Sequence, residues 1–195
     1  MEKVYVGIDV NLTGFGLAIL KSNKITLKFV PFHKQGLSIN FMMKEWVRGT
    51  ADLMTEILKA APRYKENPND TSIILAVEEP AGMGAGAEQA AAILNKLIGI
   101  IAAFARVANY STMHPSSMMW KKSIVGKGNA TKDEVATVVS KKILGHEDRD
   151  YFGGNHHISD AVGLALYAKE VDNNARPRDN SISPNCKDKE ESEEG

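Results

Sequence analysis

The sequence predicts an α/β domain on a mixed five-stranded sheet, antiparallel at its start and parallel in its later strands, with helices on both faces. Three observations predict it. Three strand-like runs come first with only short turns between them, and two further strands follow, one a solid apolar run and one short, each preceded by a helical stretch. The third is length: 195 residues suffice for one well-packed domain and not for two large ones.

The first strand, about residues 3 to 10, is the run Val4-Tyr5-Val6-Gly7-Ile8-Asp9-Val10, and Gly14 and Gly16 let the chain turn back into a second strand at 14 to 21. Ser22-Asn23 gives the turn into a third, 24 to 32. From Ile39 to Ala61 the apolar positions Met43, Val47, Ala51, Met54 and Leu58 recur at helical spacing until Pro62 stops them. After a polar loop, Arg63 to Asp70, the solid run Ile73-Ile74-Leu75-Ala76-Val77 reads as a strand buried on both faces, ending in Glu78-Glu79-Pro80. A glycine-rich loop to Gly86 leads into Ala87 to Ala108, apolar on nearly all faces and read as a buried helix. Asn95 and Lys96 interrupt it, so it falls short of the ~20 apolar residues of a membrane span. A short strand at Tyr110 to Met113, a glycine-punctuated loop to Ala130, a helix from Thr131 to Leu144 and a last helix from His156 to Val171 complete a domain of residues 1–172. Residues 173–195, with Pro177, Pro184 and an acidic end, lack the apolar content to fold.

Net charge is zero, which argues neither for nor against a nucleic-acid partner. The balance is uneven, however: residues 1 to 186 hold 22 basic and 19 acidic side chains, while five acids crowd the last nine residues. The single cysteine, Cys186, cannot close an internal disulfide, and Met1 leads almost directly into the first strand without a hydrophobic leader. These features set the expectation of a cytoplasmic protein.

Acidic groups gather at element ends. Asp9 closes the first strand, Glu78 and Glu79 the fourth, and His157 and Asp160, three apart, share a face at the start of the last helix, with His156 four residues before Asp160. Each alone could cap a turn or a helix. Together, carboxylates with an imidazole suit Mg²⁺ or Mn²⁺.

With these motifs the chain resembles the RuvC family of Holliday-junction resolvases, within the ribonuclease H-like superfamily, from Val4 to about Ala168. Gly7-Ile8-Asp9 with Leu12-Thr13-Gly14-Phe15-Gly16 is similar to the family's first motif, Ala76-Val77-Glu78-Glu79 to its second, and His157-Ile158-Ser159-Asp160-Ala161 to its last. Between them Pro115, Lys121, Ser123-Ile124-Val125-Gly126, Gly128 and Ala130-Thr131-Lys132 follow the family's order. The resemblance implies a crossover junction endodeoxyribonuclease in which Asp9, Glu78, His157 and Asp160 hold two Mg²⁺ ions, with Mn²⁺ able to substitute. It also implies hydrolysis that leaves 5′-phosphates, Lys121 and Lys132 on the phosphates of branched DNA, and a homodimer packed through the Ala87 to Ala108 helix. His157 stands where the family commonly has Asp. Glu79, adjacent to Glu78, is an alternative ligand, although strand alternation sends only one of the two to the site. Met83 takes the place of an aromatic that wedges into the junction. Trp120, beside Lys121 and Lys122, suits base stacking or packing.

Three other functions compete. An actin-like phosphotransferase also opens with an Asp and a Thr-Gly turn, but needs two such domains, for which this chain has neither the length nor a second copy of the turn. A non-catalytic junction-binding protein would not need all four candidate ligands. A nuclease for flaps or other branched DNA would use the same acids.

Overall fold

The computed structural model describes residues 2–22, 24–32, 39–60, 71–80 and 87–175. Along the chain run β1 (Glu2–Asn11), β2 (Gly14–Lys21), β3 (Lys24–Pro31), α1 (Ile39–Ala60), β4 (Thr71–Val77), α2 (Ala87–Val107), β5 (Ser111–Met113), α3 (Ser117–Val125), α4 (Lys132–Leu144), a 3₁₀ turn (Arg149–Phe152) and α5 (His156–Ala175). Met83, His33 and the segment from residue 176 lie outside the described residues. The sheet order is β3-β2-β1-β4-β5, antiparallel from β3 to β1 and parallel from β1 to β5, the mixed sheet that the sequence predicts.

Strand alternation divides the core in two. Val4, Val6 and Ile8 of β1, with Ile73, Leu75 and Val77 of β4, face α1 and α2, meeting Trp46, Leu53, Ile57, Leu97 and Ile101. Tyr5, Ala18, Ile74 and Ala76 point the other way, to Trp120, Val135, Val139, Leu164 and Ala168 of α3, α4 and α5. The second layer is thin at the sheet because Gly7 and Gly16 carry no side chain. A Cβ on Gly7 would collide with the carbonyl oxygen of Ala161, and one on Gly16 with that of His157. Glycine here is a matter of close approach, and it draws the first turns of α5 down onto β1 and β2. Gly7→Ala is expected to destabilise the protein by about 1–3 kcal/mol, because backbone rather than a flexible side chain must yield; an unchanged urea midpoint would refute this packing.

The far end of α5 is fastened too. Asp172 takes the Lys3 ammonium at 2.6 Å and a hydrogen bond from the Tyr5 hydroxyl at 2.8 Å.

Two expectations need correction. The glycine-punctuated stretch before Ala130 is not all loop but contains α3, with Ser116 as its N-cap, accepting from the Met119 N–H, and Gly126 closing it at φ 87°. Trp120 and Ile124, one turn apart and buried, give it an apolar face too short to stand out in the sequence. α2 is not buried all round: Leu97, Ile101 and Ala105 face the sheet, while Asn95, Gly99, Ala103 and Phe104 are exposed. Small side chains on its outer face gave it the apolar average of a core helix. No helix among the described residues is long and apolar enough to cross a membrane.

Candidate active site

The parallel register of β1 and β4 pairs Ile8 with Val77. One step beyond that last pair stand Asp9, still within β1, and Glu78, the residue that follows β4, carried by neighbouring strands that lie ~4.8 Å apart in such a ladder. Both share the parity of residues that face α5, and α5 begins there with His157 and Asp160. The result is a cavity of about 250 Å³ lined by Asp9, Val10, Asn11, Glu78, Glu79, Pro80, Leu94, Ile98, His157 and Asp160. Four residues from three separate stretches of sequence thus meet at one end of the sheet.

Charge is concentrated there without full compensation. Asp9 is buried, 9% exposed, and its Oδ2 accepts from Nδ1–H of His157 at 2.5 Å. That bond, with further attraction from Asp9 and Asp160, outweighs burial and raises the imidazole pKa. Burial, then the neighbouring Asp9 and Glu78, push the Asp160 carboxyl up to about 7. Glu78 is raised as well, by burial and then by Asp9, with Ser117 and the Lys121 ammonium pulling the other way. Carboxylates crowded together in this way want a cation between them.

The donor set fits a hard divalent ion. Oδ1 of Asp160 is buried with no hydrogen-bond partner, an orphan oxygen among three carboxylates. Among the described residues no three His, Cys, Asp or Glu side chains already close around a common point. With Nδ1 turned to Asp9, Nε2 is the ring atom available to a metal.

The remaining candidates fall into groups. Both Glu78 and Glu79 line the cavity, but Glu78 is the one in electrostatic reach of Asp9 and Asp160, while Glu79 is exposed. His156 lines a different cavity, with Asp133 and Arg149. Lys121 acts on Glu78 and Asp160, and the exposed Lys132 acts on His157, so the two ammonium groups flank the acids. Trp120 is a correction. It is fully buried beneath α5, where a Cβ on Gly163 would strike its ring, and so it cannot stack on a base. Its indole N–H has no hydrogen-bond partner yet lies close enough to Glu78 to favour the ionised carboxylate. Ser117, also acting on Glu78, escaped the sequence reading because the helix that carries it did. Asn11 escaped it as well, having the look of a turn residue.

No protein-family model matches the sequence, and no curated protein matches it. Among the solved structures that are similar, two are forms of one bacterial protein. A RuvC of Thermus thermophilus in complex with Holliday junction substrate is 20% identical, with 89% of this chain and 96% of that one covered at a TM-score of 0.61. A second structure of Thermus thermophilus RuvC is 23% identical, with coverage of 84% and 92% and a TM-score of 0.56. Likeness over nearly the whole of both chains, together with the strand order and the helices on both faces, gives this protein the ribonuclease H-like fold of the RuvC resolvases.

Proposed function

We propose that the protein is a divalent-metal-dependent endodeoxyribonuclease that resolves four-way DNA junctions and cuts related branched DNA, leaving 5′-phosphates. The observation that carries the reading is the meeting of Asp9, Glu78 and Asp160 in one cavity, where burial and the charge of Asp9 raise the pKa of both Glu78 and Asp160 and Lys121 and Lys132 flank the group. The fold, shared with a RuvC seen on a Holliday junction, supports the choice of substrate.

Asp9, Glu78 and Asp160, with His157 through Nε2, would hold a pair of Mg²⁺ or Mn²⁺ ions. When bound, such ions activate water on one side of a phosphodiester and stabilise the leaving 3′ oxygen on the other. The chain's own part is positioning and charge. Burial of Asp9 fixes one carboxylate on a rigid strand, and Asp160 sits one helical turn from His157, so the two carboxylates and the imidazole approach from different directions. Lys121 and Lys132 offset the repulsion between this acidic pocket and an anionic backbone. A second copy, packed on the exposed face of α2, would supply a second site for the opposite strand.

The deciding experiment incubates purified protein with four-way, flap, duplex and single-stranded DNA, with and without Mg²⁺, and analyses product ends. Cleavage restricted to branched substrates and to Mg²⁺-containing reactions supports the reading; no cleavage of any substrate overturns it. Lys121→Ala and Lys132→Ala are each expected to reduce the slope of log affinity against log salt by about one unit. Titrations between 50 and 200 mM salt measure it, and an unchanged slope removes that lysine from the interface.

A further inference from the structure

Asn11, the last residue of β1, lines the candidate site two residues beyond Asp9. Its amide is not free to turn over. Oδ1 accepts from the backbone N–H of Thr13 at 2.7 Å and from the Thr13 hydroxyl at 2.5 Å. A backbone N–H can only donate, so the oxygen must face it and the NH₂ group must take the opposite side. Thr13 is held in turn, because its carbonyl accepts from the Phe32 N–H at 2.8 Å at the end of β3.

The consequence is a donor fixed in direction and left without a partner. Nδ2 of Asn11 is buried and makes no hydrogen bond. A buried donor in this state is costly, and folded proteins keep few of them away from places where a ligand supplies the acceptor. The neighbouring oxygens do not serve: Oδ2 of Asp9 is engaged by His157, and Oδ1 of Asp160 is itself unpartnered. The cavity is otherwise acidic, so an incoming anionic oxygen meets few neutral donors there. Shielding from bulk water strengthens the bond such a donor makes.

We propose that Asn11 contacts the substrate, its amide NH₂ donating to a non-bridging oxygen of the scissile phosphodiester. The inference rests on the nuclease reading and adds a neutral donor to a site otherwise built of acids. Because the Asx turn sets the donor's direction before substrate arrives, the contact requires a small opening over the buried amide but no turning of the amide itself.

The test uses the full chain and a four-way junction in Mg²⁺. Asn11→Asp keeps an oxygen for the Thr13 N–H while exchanging the NH₂ for an acceptor; Asn11→Ser keeps a local acceptor without adding charge. Both are expected to lower the single-turnover rate by about a hundredfold with little change in thermal midpoint. Binding is then compared, in the Asp160→Asn background, on junctions carrying a phosphate or either stereoisomer of a methylphosphonate at the scissile position. Asn11→Ser should weaken binding of the phosphate junction and have no further effect on the one isomer whose methyl replaces the contacted oxygen. Wild-type rates in both Asn11 variants, or an equal loss of binding on all three junctions, would overturn the contact while leaving the nuclease reading intact. Failure of the unaltered protein to cleave overturns both, and so separates the two cases.

Discussion

Asp160→Asn is expected to abolish Mg²⁺-dependent cleavage and, at pH 8 without metal, to make the protein more stable. The first effect should be at least about a thousandfold, asking ~4 kcal/mol of transition-state stabilisation from one carboxylate. The second follows from linkage. Asp160 has a folded pKa of about 7 against an ordinary 3.8, so the folded state holds its proton more tightly than the unfolded state does. Stability is therefore lost as pH rises from about 4 to 7, by a total on the order of 4 kcal/mol, and the loss is complete above 7. His157 works in the same direction. Its raised pKa contributes stability that is whole below the unfolded value of 6.5 and disappears as pH rises through the folded one. An amide at position 160 has no charge to bury and escapes the larger of these costs. Thermal melts at pH 5 and pH 8, with EDTA or Mg²⁺, measure the effect. The variant should gain at pH 8 in EDTA only, and the unaltered protein should gain from Mg²⁺. Full turnover in Asp160→Asn, or a lower midpoint than the unaltered protein in EDTA at pH 8, contradicts the assignment. Glu78→Gln should likewise lose cleavage while Glu79→Gln keeps it; the reverse would make the exposed glutamate the ligand.

Activity at limiting Mg²⁺ is expected to rise steeply between pH 6 and 8, and the rise should move to lower pH as Mg²⁺ is increased. Two groups must release protons before the site can take up a cation: the Asp160 carboxyl near 7 and the His157 imidazole, raised by Asp9. Log rate against pH should then have a slope between one and two on its acid side. His157→Ala removes a ligand and should cripple cleavage. His157→Asp restores a hard oxygen at the same helical position and should keep much of the rate. His156→Ala, altering a residue that lines another cavity, should behave as the unaltered protein does. A flat profile, or loss of activity on changing His156 alone, would contradict the model of the site.

The sheet was legible because its signals are local. Strand ends, a two-residue turn and an apolar run bounded by Pro80 each declare themselves within a few residues. The acids were legible for a similar reason, since each stands where an element begins or ends. What the sequence concealed was second-order. α3 is nine residues long, and its apolar face amounts to Trp120 and Ile124, so glycines at 126 and 128 outweighed it. With the helix unseen, Trp120 beside Lys121 and Lys122 left base stacking and packing both open, although Gly163 is the recess its ring needs. The role of Gly7 and Gly16 in seating α5 depends on a contact spanning some 150 residues, which no window along the chain contains.

The fastening of α5 at Asp172 has a mechanical corollary. Twelve residues separate Asp172 from Asp160, about 18 Å of helix at ~1.5 Å per residue. A tilt of ~5° about that clamp would carry the Asp160 carboxylate roughly 1.5 Å, comparable to the misalignments that cost enzymes two orders of magnitude in rate, and the seating of Ala161 on Gly7 at the other end of the rod opposes it. If the site cuts DNA as proposed, Lys3, Tyr5 and Asp172 would serve that chemistry as a bearing serves a lever, and play introduced there would be felt as a loss of turnover before it was felt as unfolding.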